Sequence, residues 1–361
     1  MPISPSLRSQ LELAGLEESI RSAEQGATTS GEATRQRRAL ETASDLMSRL
    51  PEPDELAFLH SGLCQTYLPH VAPERDDAIW TRKAGRFTLM VTPGAIDGGV
   101  ERPMQAIRRR RAAKAAGTAS SLPATEEVIP PASFVGVPYG PKARHVLIYL
   151  QSEGLKSRTV SLGSSLSAFI KNLDLPPTTG PRGSIAAFRE QILRISRCTF
   201  TLQWAGTGTD GAANLNLRDI RIASGLELAL SPKSWNGVVE LDEAFHGHLQ
   251  EHAVPLDRRA IKHLAGNSLA LDLYALFAYR LPRLQGDLQL RWSQLQQQLG
   301  SADRSQHSLA QRIKQVLPQV KTAYPVAQVE ATRHGLVLRP SPPAVPRERL
   351  VQGFRLIKGR T

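Results

Sequence analysis

The sequence predicts an α+β protein made of two tandem winged-helix domains with a loosely attached helical N-terminal arm. Three observations carry that expectation. The order buried helix, short strand, helix, turn, basic helix, β-hairpin occurs twice, at an offset of roughly 125 residues, which is too long for a solenoid repeat and right for a duplicated domain. The stretch "DRSQHSLAQRIKQVLPQVKTAYP" has Leu309, Ile313, Val316, Leu317 and Val320 at helical spacing, so one stripe is buried. That helix has no acid after Asp303, although solvated helices usually mix signs to gain Glu–Lys pairs.

The bulk composition agrees. The 361 residues carry a net charge of +12, an excess whose usual partners are nucleic acid or an anionic membrane surface. Hydrophobic content of 41% allows a real core, and 5% aromatics leave its packing to Leu, Ile, Val and Ala. No apolar run is long enough to span a bilayer, and "MPISPSLRSQLELAGLEE" has no charged head followed by an apolar core. Cys64 and Cys198 are the only cysteines, which gives no disulfide framework and fits a reducing, cytoplasmic compartment.

In chain order, residues 1–55 read as the arm. Leu7, Leu11, Leu13, Leu16 and Ile20 mark one amphipathic helix, and "RQRRALETASDLMSRLPEP" a second, stopped by Pro51 and Pro53. Residues 56–240 read as the first winged-helix domain. Within it "RFTLMVTPG" is a strand ended by Pro–Gly, followed by a mobile insertion at about residues 95–132, rich in Gly, Ala, Ser and Pro. The basic run Arg108, Arg109, Arg110, Arg111 with Lys114 lies in that insertion; it is either a solvated segment or an auxiliary, sequence-independent contact to a DNA backbone. Next come a buried helix "GPKARHVLIYLQSEG", a short strand "RTVSLG", a helix "SSLSAFIKNLDL", and a helix "SIAAFREQILRISR" with Ser184 placed to cap it. "CTFTLQW" and "LRDIRIASGLELALSP" supply the wing strands, and "AGTGTDGAANLN" between them reads as the wing loop.

Residues 241–345 read as the second winged-helix domain. "DRRAIKHLAG" is a helix capped by Asp257, "NSLALDLYALFAYRLPRL" a helix apolar on most sides, "LQLRW" a strand and "SQLQQQLGS" a helix. The acid-free helix follows, then "AQVEATRHGLVLRPSP", two strands around a turn at Arg333–Gly335. Residues 346–361 form a basic tail. The acid-free helix thus falls where a recognition helix belongs, in a fold whose recognition helix enters the major groove.

Signals for catalysis are weak. No G-x-x-x-x-G-K-[ST] loop exists. His246 and His248 in "DEAFHGHLQEH" resemble the paired histidines of DNA-nicking relaxases, but Gly247 replaces the bulky residue between them and the stretch looks helical. His60, Cys64 and His70 are metal-ligand types at a spacing that matches no zinc pattern; a packed turn with satisfied histidines is the expectation, with no metal and no cofactor. The candidate DNA contacts are Arg182, Ser184, Arg189, Arg194 and Arg197 in the first unit, and Arg304, Ser305, Gln306, His307, Gln311, Arg312, Lys314, Lys321 and Arg333 in the second. Arg reads guanine and Gln reads adenine through paired hydrogen bonds, so Arg189, Gln306 and Gln311 are base-reading candidates; Lys more often holds phosphate. Ser184, Ser305 and Arg182 sit at helix N-termini that favour phosphate. Each of these could also be plain surface.

Five motifs in order, "HSGLCQTYLPH", "GRFTLMVTPG", "VGVPYGPKARHVLIYLQSEGL", "NSLALDLYALFAYRL" and "YPVAQVEATRHGLVLRPSPP", resemble the RepA-type plasmid replication initiators of bacteria. The resemblance covers roughly Leu56 to Val345. It implies a two-winged-helix initiator that binds repeated sites (iterons) in a plasmid origin. It also implies opening of nearby DNA, recruitment of the host initiator and helicase, copy control, and a dimeric form that represses its own gene. It maps DNA contacts onto Gly183 to Arg194 and Ser305 to Lys314; Lys142 and Arg144 in "GPKAR" could serve helix start, dimer contact or phosphate contact. The expectation is therefore a non-enzymatic, plasmid-associated cytoplasmic initiator. Its rivals are a winged-helix transcription regulator without origin activity and a relaxase-type nickase using His246, His248 and a tyrosine such as Tyr67.

Overall fold

A computed structural model of the chain describes residues 7–99, 131–180, 183–207, 213–227, 237–300 and 305–346. The elements run α1 (Leu7–Gly26), α2 (Ser30–Ser48), β1 (Leu56–His60), β2 (Trp80–Ala84), β3 (Phe87–Thr92), β4 (Ala95–Asp97), β5 (Ala132–Phe134), α3 (Gly140–Gly154) and β6 (Thr159–Ser161). They continue with α4 (Leu166–Asn172), α5 (Ser184–Arg197), β7 (Thr199–Thr207), β8 (Ala213–Arg221), β9 (Ala223–Glu227), β10 (Val238–Leu241) and α6 (Glu243–His252). The last are β11 (Ala253–Asp257), α7 (Arg258–His263), α8 (Ser268–Arg280), β12 (Leu288–Arg291), α9 (Trp292–Gln298), α10 (Gln306–Ala323), β13 (Val329–Ala331) and β14 (Gly335–Leu338). The chain divides into two compact units: Leu68–Leu249, and Met1–Tyr67 together with Gln250–Thr361.

In the unit Leu68–Leu249, α3, α4 and α5 enclose a core of Val146, Leu150, Phe169, Ile170, Phe188, Ile192 and Ile195, all buried. Phe169 meets both Tyr149 and Phe188 edge to face, the arrangement that ring quadrupoles favour. Ser165 caps α4 by accepting the Ala168 N–H at 3.0 Å. The three-stranded sheet has the order β6-β10-β9 and is antiparallel throughout. Strands β7 and β8 do not belong to it: they extend β2 and β3 into a separate sheet, β2-β3-β7-β8. The expected wing strand "CTFTLQW" therefore needs correction. Its Phe200 and Leu202 stand opposite Val91 and Leu89 of β3, and this row buries all four side chains. The third strand of the first sheet is instead "VVEL", whose Val239 and Leu241 are buried. The expected wing loop "AGTGTDGAANLN" is in large part strand: its residues 205–207 end β7, its residues 213–216 open β8, and residues 208–212 lie outside the described residues.

In the other unit, α8 is buried along most of its length and capped by Asn267, which accepts the Ala270 N–H. The sheet here has the order β12-β14-β13, also antiparallel. Gly335 opens β14 where its backbone passes the Leu290 carbonyl so closely that an added Cβ would strike it. Strand β1 pairs antiparallel with β11, from Leu56 opposite Asp257 to His60 opposite Ala253.

Helix α2 is an integral part of this unit, where the sequence suggested a loose arm. It packs against α7 and α10 and buries Leu40 and Ala43. Arg259, only 11% exposed, donates to Asp257 at 2.7 Å and to Asp45 of α2 at 3.1 Å. Arg49 joins in by donating to Asp45 and Glu55. The division of the chain accordingly groups residues 1–67 with 250–361, where the sequence had suggested boundaries after residues 55 and 240.

Hydrogen bonds from Arg49 hold the Glu55 carboxyl down at a pKa of about 2. A carboxylate depressed on folding stabilises the native state above its ordinary pKa, and that contribution is lost as pH falls towards about 2. Glu55→Gln is therefore expected to flatten the acid limb of stability between about pH 4.5 and 2, measured by thermal unfolding at stepped pH. An unchanged acid limb would contradict this.

Candidate nucleic-acid interface

Helix α10 begins where its sequence places it. Ser305 is the N-cap and accepts the Ser308 N–H at 3.1 Å. The stripe Leu309, Ile313, Leu317 and Val320 is buried and Val316 half-buried. Pro318 lies within the helix on the exposed side. The exposed side chains are Gln306, His307, Gln311, Lys314, Gln315 and Pro318, a stripe of amides, one imidazole and one ammonium. Arg312 is half-buried beside it. Lys321 is half-buried near the far end, where desolvation pulls its ammonium below the ordinary value and Glu330 opposes that pull. Arg333 is exposed in the turn between β13 and β14, fixed from behind because its carbonyl accepts the Trp292 indole N–H at 3.0 Å.

Helix α5 differs. Arg194 needs correction as a DNA contact: its side chain is 1% exposed and its guanidinium is fully engaged. It donates to Glu190 at 2.9 Å, Asp76 at 3.2 Å and the Val137 carbonyl at 3.0 Å, and it lies over the Tyr139 ring. This knot explains the motif "VGVPYG". Gly136 passes with φ +78 at a point where any Cβ would collide with Arg194 and Asp76, and the Tyr139 N–H donates to Gln191. Ser184 is also corrected. Gly183, not Ser184, is the N-cap. The Ser184 N–H donates to Thr178 Oγ1 at 2.7 Å and its hydroxyl accepts the Thr178 N–H at 2.8 Å, so both groups close the preceding turn. Arg197 is exposed, but its Nη2 donates to the Ala95 carbonyl at 2.6 Å. Arg189 is half-buried, and desolvation draws its guanidinium below the ordinary value.

Arg144 is a further correction. It is 6% exposed and donates to the carbonyls of Leu68, Pro69 and Gly140, which makes it a brace for α3 rather than a phosphate contact. Lys142, on the same helix, is half-buried, and desolvation draws its ammonium down. Arg182, Arg304, Arg108, Arg109, Arg110, Arg111 and Lys114 lie outside the described residues.

Of the candidate chemical residues, Tyr67, His60 and Cys64 are buried. Tyr67 is 3% exposed and its hydroxyl donates to the Cys64 carbonyl, so it cannot present a nucleophile to DNA. His60 accepts the Gly62 N–H at 3.1 Å within a buried turn, and Cys64 is fully buried with its thiol pushed up by desolvation. His246 and His248 lie on helix α6, as their surroundings suggested. Among the described residues no group of three or more His, Cys, Asp or Glu side chains is placed to hold a metal ion, and no helix is long and apolar enough to cross a membrane.

Comparison with known proteins gives three findings. No curated protein matches the chain. A crystal structure of domains 2 and 3 of RctB is similar over 74% of this chain and 85% of that chain, at 12% identity and a TM-score of 0.40. Residues 137–296 match the RepA_C family, described as plasmid encoded RepA protein. The matched stretch takes in α5 and stops before α10. Over those residues the chain is similar to the RepA_C region of plasmid encoded RepA protein, as the resemblance read from the sequence had it.

Proposed function

We propose that this chain is a plasmid replication initiator that binds duplex DNA through two winged-helix units. The observation that carries the reading is the exposed face of α10, which bears amides and a lysine and no carboxylate. Two further facts support it. Each unit has helix, strand, helix, helix and two strands in this order, with the β7–β8 hairpin of another sheet intervening in the first, and each three-stranded sheet places its last strand between its first and its second. That is the order of a winged helix, whose third helix docks in a major groove. The match to plasmid encoded RepA protein supplies the biological setting.

On this reading the sites are repeated sequences in a plasmid origin, and two linked units raise each other's effective concentration on DNA. The chain opens nearby DNA with energy from binding and bending, recruits the host initiator and helicase, and represses its own gene as a dimer. It acts as a binding protein in the cytoplasm, without cofactor or catalysis. The wing turn at Arg333 adds a backbone contact.

Lys314 gives a direct test, because an ammonium on this face binds phosphate and displaces counterions. Lys314→Ala is expected to weaken binding to all sequences alike and to lower the slope of log affinity against log salt by about one. The measurement is fluorescence anisotropy of the full chain on an origin-repeat duplex across a salt series. An unchanged affinity and slope would count against α10 as the DNA face.

A further inference from the structure

We infer that Gln311 is an adenine-reading residue, and that His307 holds its amide in the reading orientation. The inference rests on the proposed DNA-binding role of α10. Both side chains are exposed on the helix, one turn apart, and Gln311 Nε2 lies 2.9 Å from His307 Nε2. With the imidazole proton on Nδ1, His307 Nε2 accepts one N–H of Gln311. That leaves the amide with one N–H and its carbonyl oxygen.

This remaining pair fits a single base in the major groove. Adenine presents N7 as acceptor and N6–H as donor, so the free N–H meets N7 and the carbonyl meets N6–H. Guanine presents two acceptors, N7 and O6, and would set an acceptor against the Gln311 carbonyl. Thymine and cytosine each offer half of the pattern. Holding the amide in advance reduces the ordering cost of binding, since a free glutamine has several rotamers to lose. Gln311 also stands in the N-terminal half of α10, the part of a recognition helix that reaches base edges. In α5, by contrast, Arg194 and Arg197 are committed to partners inside the protein, which favours α10 as the source of base selection.

The test is selection and sequencing of bound duplexes from a random pool, using the full chain as wild type, Gln311→Ala, His307→Ala and His307→Gln. The wild type is expected to enrich a motif with one adenine preferred about tenfold or more over other bases. Gln311→Ala should flatten that position alone. His307→Ala should reduce discrimination at the same position, and His307→Gln, whose carbonyl can accept the same N–H, should restore part of it. Both residues are exposed, so unfolding midpoints should not move, and a merely structural role for His307 would not single out one base position. The inference is overturned if Gln311→Ala leaves the motif unchanged or weakens every sequence by the same factor. A wild-type chain that enriches no motif at all would instead overturn the DNA-recognition reading on which the inference rests.

Discussion

Arg194→Ala is expected to cost the chain about 3–5 kcal/mol of stability, the range found when one partner of a buried ion pair is removed. Glu190 is completely covered, and Arg194 is its partner at 2.9 Å. Alanine leaves that carboxylate in a low-dielectric interior and strips Asp76 and the Val137 carbonyl of their donor. The loss propagates, because the same guanidinium ties residues 76 and 137 to α5. Urea unfolding of the full chain measures it. The double replacement Arg194→Met with Glu190→Leu is expected to recover most of the loss, since well-packed apolar side chains often substitute for a buried pair without penalty. A loss below about 1 kcal/mol for Arg194→Ala would mean that the network relaxes or admits water.

Arg259→Ala is expected to cost about 3 kcal/mol and to release α2. Its guanidinium is 11% exposed, and the Asp257 carboxylate it holds is 3% exposed. The same side chain reaches Asp45 on α2, so its removal breaks that charged contact and leaves the buried Leu40 and Ala43 and the Arg49–Glu55 pair. Local opening of α2 then falls below the global unfolding free energy. Limited proteolysis should cut first between residues 30 and 50, faster than in the wild type. Unchanged cutting, with stability intact, would show that the remaining contacts hold the helix without Arg259.

Much of this architecture was legible in the residues, for physical reasons that differ between elements. The α10 stripe and its Ser305 cap are local signals at helical period, and α8 announces itself by apolar residues on nearly every side. Strand β3 alternates buried and half-buried residues along its whole length. The sequence misplaces the first wing because strands that follow a helix usually pair nearby, whereas the β7–β8 hairpin joins β3, more than a hundred residues earlier, and leaves β6 to pair with β10. Strand β10 is four residues long and too short to stand out. The charged contact to Asp45 of α2 comes from Arg259, far away in sequence, and nothing local in residues 30–48 signals it.

Among the candidate contacts, Arg194 carried a visible warning. Glu190, the one acid in α5, stands four residues before it, at the spacing of a helical ion pair. Arg144 offered no such sign, because its partners are backbone carbonyls. The exposed lysine and amides of α10 follow from the same periodicity that located its core.

The most direct test of the central claim is competition binding of the full chain, at near-physiological salt, between a duplex of plasmid-origin repeats and a shuffled duplex of equal composition. The account predicts a preference of about a thousandfold or more for the repeats, the range that separates specific from non-specific DNA binding. Equal affinity for the two duplexes, fading together as salt rises, would contradict it and leave a polyanion binder without sequence recognition.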